Sequence, residues 1–412
     1  MNYRWFHDAL ATKLAKPFVH VLFGDRQTGK TTLLRDLLPN PALSFNLADP
    51  MERSRLLADP GAFTRACLAL AKQAKPHVIL VDEAQAVPAV FDAVQSLYDQ
   101  DKTRWRFVLC GSSARKLRLT GSNLLPGRSL QHRLYPLTLA ERPPIDARPA
   151  DARTPLRFVR KTGATDLFPA ADLTERLAFG DLPGIVLLPT ADRADVLRSY
   201  AVAHLEEEIR REALVKDWGT FLRFLQLAAA ESGQVVNYAK IAKDVGVSPV
   251  TVRSHYQLLE DMFVGFSVPG YSRSPRKNLT STPRFFLFDL GIRHAAAGVK
   301  PSVDVALADP GRYFEQWVAI ELWKRLGYLG GGQLHHFRTK DGAEIDLILE
   351  LDGQAIPIEV KWTARPSRND ARHIIAFLEE QKRPAEFGYV ICRVPRPELL
   401  HERVLAIPWF HL

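Results

Sequence analysis

Gly24-Asp25-Arg26-Gln27-Thr28-Gly29-Lys30-Thr31 satisfies every position of the pattern G-x-x-x-x-G-K-[ST]. The apolar run of Phe18, Val19, Val21, Leu22 and Phe23 precedes it, and Thr32-Leu33-Leu34-Arg35-Asp36-Leu37-Leu38 follows with helical spacing. A strand, a glycine-bearing loop and a helix in that order give the pattern its physical meaning. The glycines let successive backbone N–H groups turn inward around phosphates, and the helix offers them its positive end. Residues 24–32 are therefore expected to cradle a nucleoside triphosphate, ATP with Mg2+. Lys30 is placed to neutralise the β- and γ-phosphates, and Thr31 to give magnesium a hydroxyl.

Outward from the loop, residues 17–140 alternate apolar runs with helical patterns. Strands are expected near 18–23, 43–47, 77–81 and 106–110, with helices at 30–38, 61–74 and 87–99, the signature of a parallel sheet with covering helices. The run His77-Val78-Ile79-Leu80-Val81-Asp82-Glu83 carries its acids at the strand tip, where such sheets bind ligands. Asp82 is expected to hold magnesium, and Glu83 to orient and deprotonate the attacking water. Gly111-Ser112-Ser113 ends the next strand; Ser112 could contact the γ-phosphate or simply close a turn. Arg128, on the Leu125-Pro126-Gly127 turn with Arg133 nearby, reads either as an arginine delivered to a neighbouring subunit's γ-phosphate or as a surface contact for phosphate or DNA. A Pro/Ala/Asp/Arg-rich stretch from Glu141 to Pro155 reads as a surface insertion or linker.

The chain has 412 residues, 46% hydrophobic and 25% charged, as in ordinary globular proteins of two or three domains. No apolar stretch reaches membrane-spanning length, and the start lacks a signal-peptide layout, so no membrane is expected. Cys67, Cys110 and Cys392 lie far apart, which suits a reducing cytoplasm and suggests neither a disulfide framework nor a zinc site. The net charge of +9 is uneven: eight Lys/Arg and no acid from Lys102 to Ala140, and six against Asp289 alone from Tyr271 to Lys300. Such runs suit a polyanion.

Phe221 to Leu259 reads as three short helices. Tyr238 to Val245 is followed by Gly246 for a tight turn, Ser248 as N-cap and Pro249 at the first helical position. The next helix turns Thr251, Arg253 and Ser254 outward, groups able to reach bases or phosphates. Two β-like runs, Phe263–Pro269 and Pro283–Asp289, bracket a loop with Arg273, Arg276 and Lys277. The module therefore reads as a winged helix that binds DNA, although this fold also serves to dock proteins.

Near the C-terminus, Gly342-Ala343-Glu344-Ile345-Asp346 and Ile356-Pro357-Ile358-Glu359-Val360-Lys361 alternate apolar and charged residues as strands do. A hairpin pairing brings Asp346, Glu359 and Lys361 together. Two carboxylates holding one or two Mg2+ (or Mn2+) ions beside a lysine suit phosphodiester hydrolysis. Glu315, on a predicted amphipathic helix, could add a third carboxylate. The plainer alternative is a hairpin with a polar outer face.

Together these motifs resemble a prokaryotic family of AAA-type ATPases with a G-x-R-Q-x-G-K-T loop and a C-terminal restriction-endonuclease-like domain. The matching pieces are the loop at 24–31, Leu80 to Gln85, Gly111-Ser112-Ser113, Leu125 to Arg128 and Ile358 to Lys361. Asp25 departs from the small residue or proline usual there. The resemblance implies an α/β chain in three parts: an AAA-type P-loop domain with a parallel sheet over 1–190 (lid or insertion at 141–190), a helical and winged-helix module over 191–300, and a PD-(D/E)xK nuclease-like α/β domain over 301–412. It makes the chain an expected homo-oligomer, up to a hexamer, that processes DNA, branched DNA included. Two alternatives stay open: a nucleotide-gated switch whose nuclease fold is an inactive platform in regulation or defence, and an ATPase that docks protein partners.

Overall fold

The computed structural model describes residues 2–111, 127–145, 153–156, 167–201, 217–272, 274, 276, 278, 281–339, 341–381 and 383–412. The chain forms two compact units, one of residues 1–135 with 261–264, the other of 136–260 with 265–412.

In the first unit, near-continuous apolar runs make strands that are covered on both faces. In chain order come α1 (His7–Leu14), β1 (Val19–Phe23), α2 (Lys30–Leu37), β2 (Leu43–Asn46), α3 (Pro50–Ala58), α4 (Gly61–Leu68), β3 (His77–Asp82), α5 (Ala89–Gln100), β4 (Trp105–Gly111) and β5 (Ser129–Arg133). The sheet order is β2-β3-β4-β1-β5 and every neighbouring pair is parallel. Central β1 is buried throughout, while the edge strands β2 and β5 are partly exposed. Phe23 pairs with both Gly111 and Arg133, and Asn46 with Asp82, so the carboxyl ends of the strands share one edge. Val21, Phe23, Ile79, Phe91, Phe107 and Leu109 fill the core; each such side chain contributes about 1.5–3 kcal/mol by leaving water. Helix α3 is additional to the expected elements. Its signals are local: Asp49 caps it by accepting from the Met51 N–H at 2.9 Å, and Pro50 opens the first turn.

The second unit runs α6 (Leu173–Phe179), α7 (Pro183–Val186), α8 (Thr190–Ser199), α9 (Trp218–Ala230), α10 (Tyr238–Val245), α11 (Pro249–Asp261), β6 (Gly265–Val268), β7 (Arg284–Leu287), α12 (Leu290–Ala296), α13 (Val303–Ala308), α14 (Pro310–Leu329), β8 (Gln333–Arg338), β9 (Glu344–Leu351), β10 (Gln354–Val360), α15 (Arg372–Glu380), β11 (Gly388–Cys392), β12 (Glu398–His401) and β13 (Val404–Pro408). Its six-stranded sheet has the order β12-β13-β11-β10-β9-β8. β8, β9 and β10 form an antiparallel meander, and β11 joins β10 in parallel after the α15 crossover. One core joins Phe266 and Phe286 of the β6–β7 pair to Phe314 and Trp317 of α14 and to Leu347, Ile358, Ile391 and Ile407 of the sheet. The segment at 269–271 lies along edge strand β8, with Tyr271 N donating to His336 O at 2.6 Å, and satisfies that edge.

The surface stretch expected from Glu141 begins instead in the interior. Glu141 and Arg142 are fully buried. Glu141 accepts from the Thr138 N–H and hydroxyl at 2.7 and 3.0 Å. Arg142 reaches Asp181 at 3.1 Å, a carboxylate it shares with buried Arg176 at 2.8 Å. Charged residues are buried here because each finds a partner, which composition alone did not reveal.

Candidate functional site

The phosphate loop leaves β1 at the carboxyl edge. Gly24 must be glycine: a methyl there would stand 2.4 Å from the Leu134 carbonyl oxygen. Gly29 holds φ of 87° and turns the chain into α2. Lys30 is buried and folds back onto the loop, donating to the Gly24 and Asp25 carbonyls at 2.7 and 2.8 Å. Thr31 Oγ1 donates to Asp82 Oδ2 at 2.7 Å, bringing the two expected magnesium groups into contact. The other Asp82 oxygen accepts from the Glu83 N–H at 3.0 Å. Glu83 has φ of 52°, and Gln85 Nε2 donates to its carboxylate. Left-handed backbone outside glycine is costly and collects at functional sites. Arg26, Gln27, Thr28 and Thr32 lie in the loop and the first turn of α2; Thr28 Oγ1 bonds the Asp25 carbonyl at 2.7 Å. Ser112 lies outside the described residues.

Three residues here were not singled out from sequence for the roles their positions suggest. Arg4 is buried, with its guanidinium donating to the Thr28 carbonyl and, at 2.7 Å, to the Tyr135 carbonyl. Gln85 fits against Gly111, where a methyl would lie 2.3 Å from its amide oxygen. Arg133, noted only as a neighbour of Arg128, stands at the loop edge of β5, 3.9 Å from Asp25. Arg128 is at the other end of that strand, where its carbonyl accepts from Val19 N at 3.0 Å and its Nε donates to Asp99 at 2.6 Å. It therefore sits about a strand length (roughly 16 Å at 3.3 Å per residue) from its own phosphate loop.

In the second unit, α10, the Gly246 turn and α11 form a helix-turn-helix. Gly246 has φ of 82° and Ser248 Oγ accepts from Thr251 N at 3.1 Å. Arg253 and Ser254 are exposed, with the Arg253 guanidinium 4.7 Å from the Tyr238 ring. Arg276, between β6 and β7, is helical and exposed rather than in the expected loop conformation, while Arg273 and Lys277 lie outside the described residues. The basic run from 271 to 300 is less of a surface than its composition implied. Arg284 and Arg293 are buried; Arg293 donates to Tyr313 Oη at 3.2 Å and the Ala230 carbonyl at 3.0 Å.

The β9–β10 register sets Asp346 beside Glu359 and Val360, and Val360 N donates to Asp346 Oδ2 at 2.8 Å. Lys361 Nζ donates to Glu359 at 2.6 Å. Glu315 arrives from α14. Arg284 of β7 pairs with both Glu315 and Glu344. Burial and the nearby Asp346 push the Glu315 carboxyl up to about 8. Burial and Asp346 likewise push Glu359 up to about 7, and burial raises Asp346. Burial opposes the Lys361 charge, but Asp346 and Glu359 hold the ammonium above its ordinary value. Among the described residues, no three His, Cys, Asp or Glu side chains converge closely enough to hold a metal ion as they stand. Arg284 supplies the positive charge in their midst.

Residues 16–142 match the family model of an AAA domain. Residues 170–303 and 310–412 match two domains of unknown function, DUF8612 and DUF4143. Over 350 residues the chain is 26% identical to uncharacterized proteins of Mycobacterium bovis and Mycobacterium tuberculosis, covering 85% of this chain and 71% of each relative. It is 23% identical to an uncharacterized protein of Haemophilus influenzae, over 89% of this chain and 88% of that one. A solved Walker-type ATPase of Pyrococcus abyssi aligns with a TM-score of 0.44 at 12% identity, covering 71% of this chain and 94% of that one. A STAND protein with a tetratricopeptide-repeat sensor from Pyrococcus horikoshii gives 0.26 at 13% identity, covering 78% and 49%. The parallel sheet, the phosphate loop and the AAA match define the first unit as a P-loop ATPase domain. No helix among the described residues is long and apolar enough to cross a membrane.

Proposed function

We propose that this chain is an ATP-dependent DNA-processing protein of the cytoplasm, in which ATP hydrolysis is coupled to binding, remodelling and metal-dependent cleavage of DNA, branched DNA included. Lys30 and the loop amides hold the triphosphate, and Glu83 orients and deprotonates the attacking water. Mg2+ fits the Thr31 and Asp82 oxygens, whose contact needs only to open around the ion, and when bound it neutralises charge on the phosphates. Arg128 acts on a neighbouring subunit's nucleotide in a homo-oligomer, a hexamer being one such assembly, since its own loop is at the far end of the strand. Thr251, Arg253 and Ser254 read DNA, with Arg273, Arg276 and Lys277 on the wing.

The observation that carries the cleavage reading is the gathering of Glu315, Asp346, Glu359 and Lys361 from a helix and two strands. The carboxylates Asp346 and Glu359, with Glu315, fit Mg2+ or Mn2+: burial, and then their mutual repulsion, raises the proton affinity of Glu315 and Glu359, a cost that a bound cation would relieve, and the buried Glu359 Oε2 lacks a hydrogen-bond partner. Such an ion polarises the phosphate and activates water. The helix, three-strand meander, helix and parallel strand from α14 to β11 support a PD-(D/E)xK reading. A second reading is favoured by Arg284, whose ion pairs fill the cluster as a permanent cation would. On that reading the sheet is an inactive platform, and the chain is a nucleotide-gated binding protein.

Wild type, Lys30→Ala, Glu83→Gln and Asp346→Ala, incubated with linear, forked and four-way DNA plus Mg2+ or Mn2+, separate these. Cleavage lost in Asp346→Ala supports the nuclease, and its loss in Lys30→Ala and Glu83→Gln as well supports the coupling; no cleavage by wild type leaves the switch. Turnover of ATP indifferent to DNA removes the coupling, and no mobility shift with any DNA leaves protein docking.

A further inference from the structure

Arg133 ends β5 in register with Phe23, the residue before the phosphate loop. Its guanidinium lies 4.8 Å from the Tyr135 ring and 4.2 Å from the Phe263 ring. The same Nη is 3.9 Å from Asp25 Oδ2 and 3.4 Å from the Phe263 carbonyl. Phe263 also packs on Phe23, with ring centroids 5.8 Å apart. Its φ of 64° is a left-handed conformation that a bulky side chain adopts only where its surroundings impose it. Gln27 and Glu83, in the phosphate loop and after β3, share that rare backbone. Residues 261–264 belong to the first unit, yet they link α11, the helix with Arg253 and Ser254, to β6, the first strand of the wing. Phe263 of this connector thus packs on Phe23 and Arg133, the residue before the phosphate loop and the end of β5.

We propose that Arg133 senses the bound triphosphate and passes that state to the winged-helix module through Phe263. The proposal rests on the nucleotide- and DNA-binding readings above. Asp25 places a buried carboxylate in a loop that receives a polyanion, so the nearby guanidinium is shared between them. When the phosphates arrive, Arg133 shifts toward them and its stack on Phe263 loosens. The connector then relaxes from its left-handed turn, and α11 moves against the wing. A coupling of this kind changes DNA affinity by roughly 5- to 150-fold between nucleotide states.

The test uses the full chain with and without ATP and Mg2+, in an ATPase-slow Glu83→Gln background. Hydrogen exchange is followed at 258–268, DNA affinity by anisotropy and nucleotide binding with a fluorescent ATP analogue. Nucleotide is expected to change exchange in the connector and to shift DNA affinity. Phe263→Leu and Arg133→Met lose both effects, Phe263→Leu while still binding nucleotide, and Arg133→Lys recovers part of them. A nucleotide-dependent shift that persists in Phe263→Leu overturns the proposal, as does an unchanged connector in a protein that binds nucleotide. Absence of nucleotide binding overturns it together with the reading beneath it. A connector response without any DNA binding retains the sensor and removes only the DNA role of the module.

Discussion

At the residue scale, the roles proposed for Lys30 and Glu83 separate binding from chemistry. Lys30 sits on loop carbonyls at 2.7 and 2.8 Å, where phosphate oxygens can replace them, whereas Glu83 follows the Asp82 tip and its carboxylate accepts from Gln85. Lys30→Ala is expected to abolish binding of a fluorescent nucleotide. Glu83→Gln should retain it while kcat falls by about 10²–10⁴, the usual worth of a positioned base. Equal loss of affinity in both variants would assign Glu83 to binding instead. Asp289 offers a different test, in stability. Burial pushes its carboxyl up to about 6, although it accepts from the Asp181 and Ile292 N–H groups at 2.7 and 3.2 Å. A raised carboxyl stabilises the fold fully only below its unfolded value, near 3.8, and that stability is lost as pH rises toward 6. The shift corresponds to about 3 kcal/mol at most. Denaturant titrations between pH 4 and 6 should show a shallower decline in Asp289→Asn than in wild type, the remainder coming from Glu315 and Glu359.

At the scale of elements, the carboxyl end of β4 supports the residue after β3. Gln85 donates to Glu83 and needs the open space at Gly111. Gly111→Ala is expected to displace Gln85 and release Glu83, lowering kcat by roughly 10-fold or more, the worth of one hydrogen bond to a charged group, with ATP affinity kept. Gln85→Ala should match it; wild-type turnover in either would detach Gln85 from the chemistry. Four strands of the first sheet were legible because each βα step carries its own local pattern, from Phe18–Leu38 to His77–Glu83, whereas the edge strand β5 was not. The 344–361 alternation gave the hairpin. What escaped were pairings made across long separations. Arg4 meets Tyr135, 131 positions away, and Arg142 meets Asp181, 39 away. No periodicity records such contacts, and a buried arginine has the same letter as a solvated one. Arg284 and Arg293 thus looked like part of a basic surface until the fold turned them inward.

At the scale of the whole molecule, Arg284 decides what the C-terminal sheet is for. It belongs to β7 but pairs with Glu315 of α14 and Glu344 of β9, tying the β6–β7 pair to the helix and the six-stranded sheet. It is both a structural tie and the rival of any metal ion. Arg284→Met keeps the length of the side chain and removes the cation, leaving the carboxylates around it uncompensated. The variant is expected to lose about 3–5 kcal/mol in chelator, as when one partner of a buried pair is deleted. If Glu315, Asp346 and Glu359 are a metal site, Mg2+ or Mn2+ should restore much of that loss. A ligand at a hundred times Kd returns about 2.7 kcal/mol, or roughly 5–10 °C in Tm for a unit of this size. Asp346→Ala in the same background should abolish the rescue, because the ion then lacks its central ligand. A melting temperature unmoved by either cation, in wild type and in Arg284→Met alike, would make Arg284 the permanent occupant and the sheet a platform, leaving the ATPase unit to supply the only chemistry.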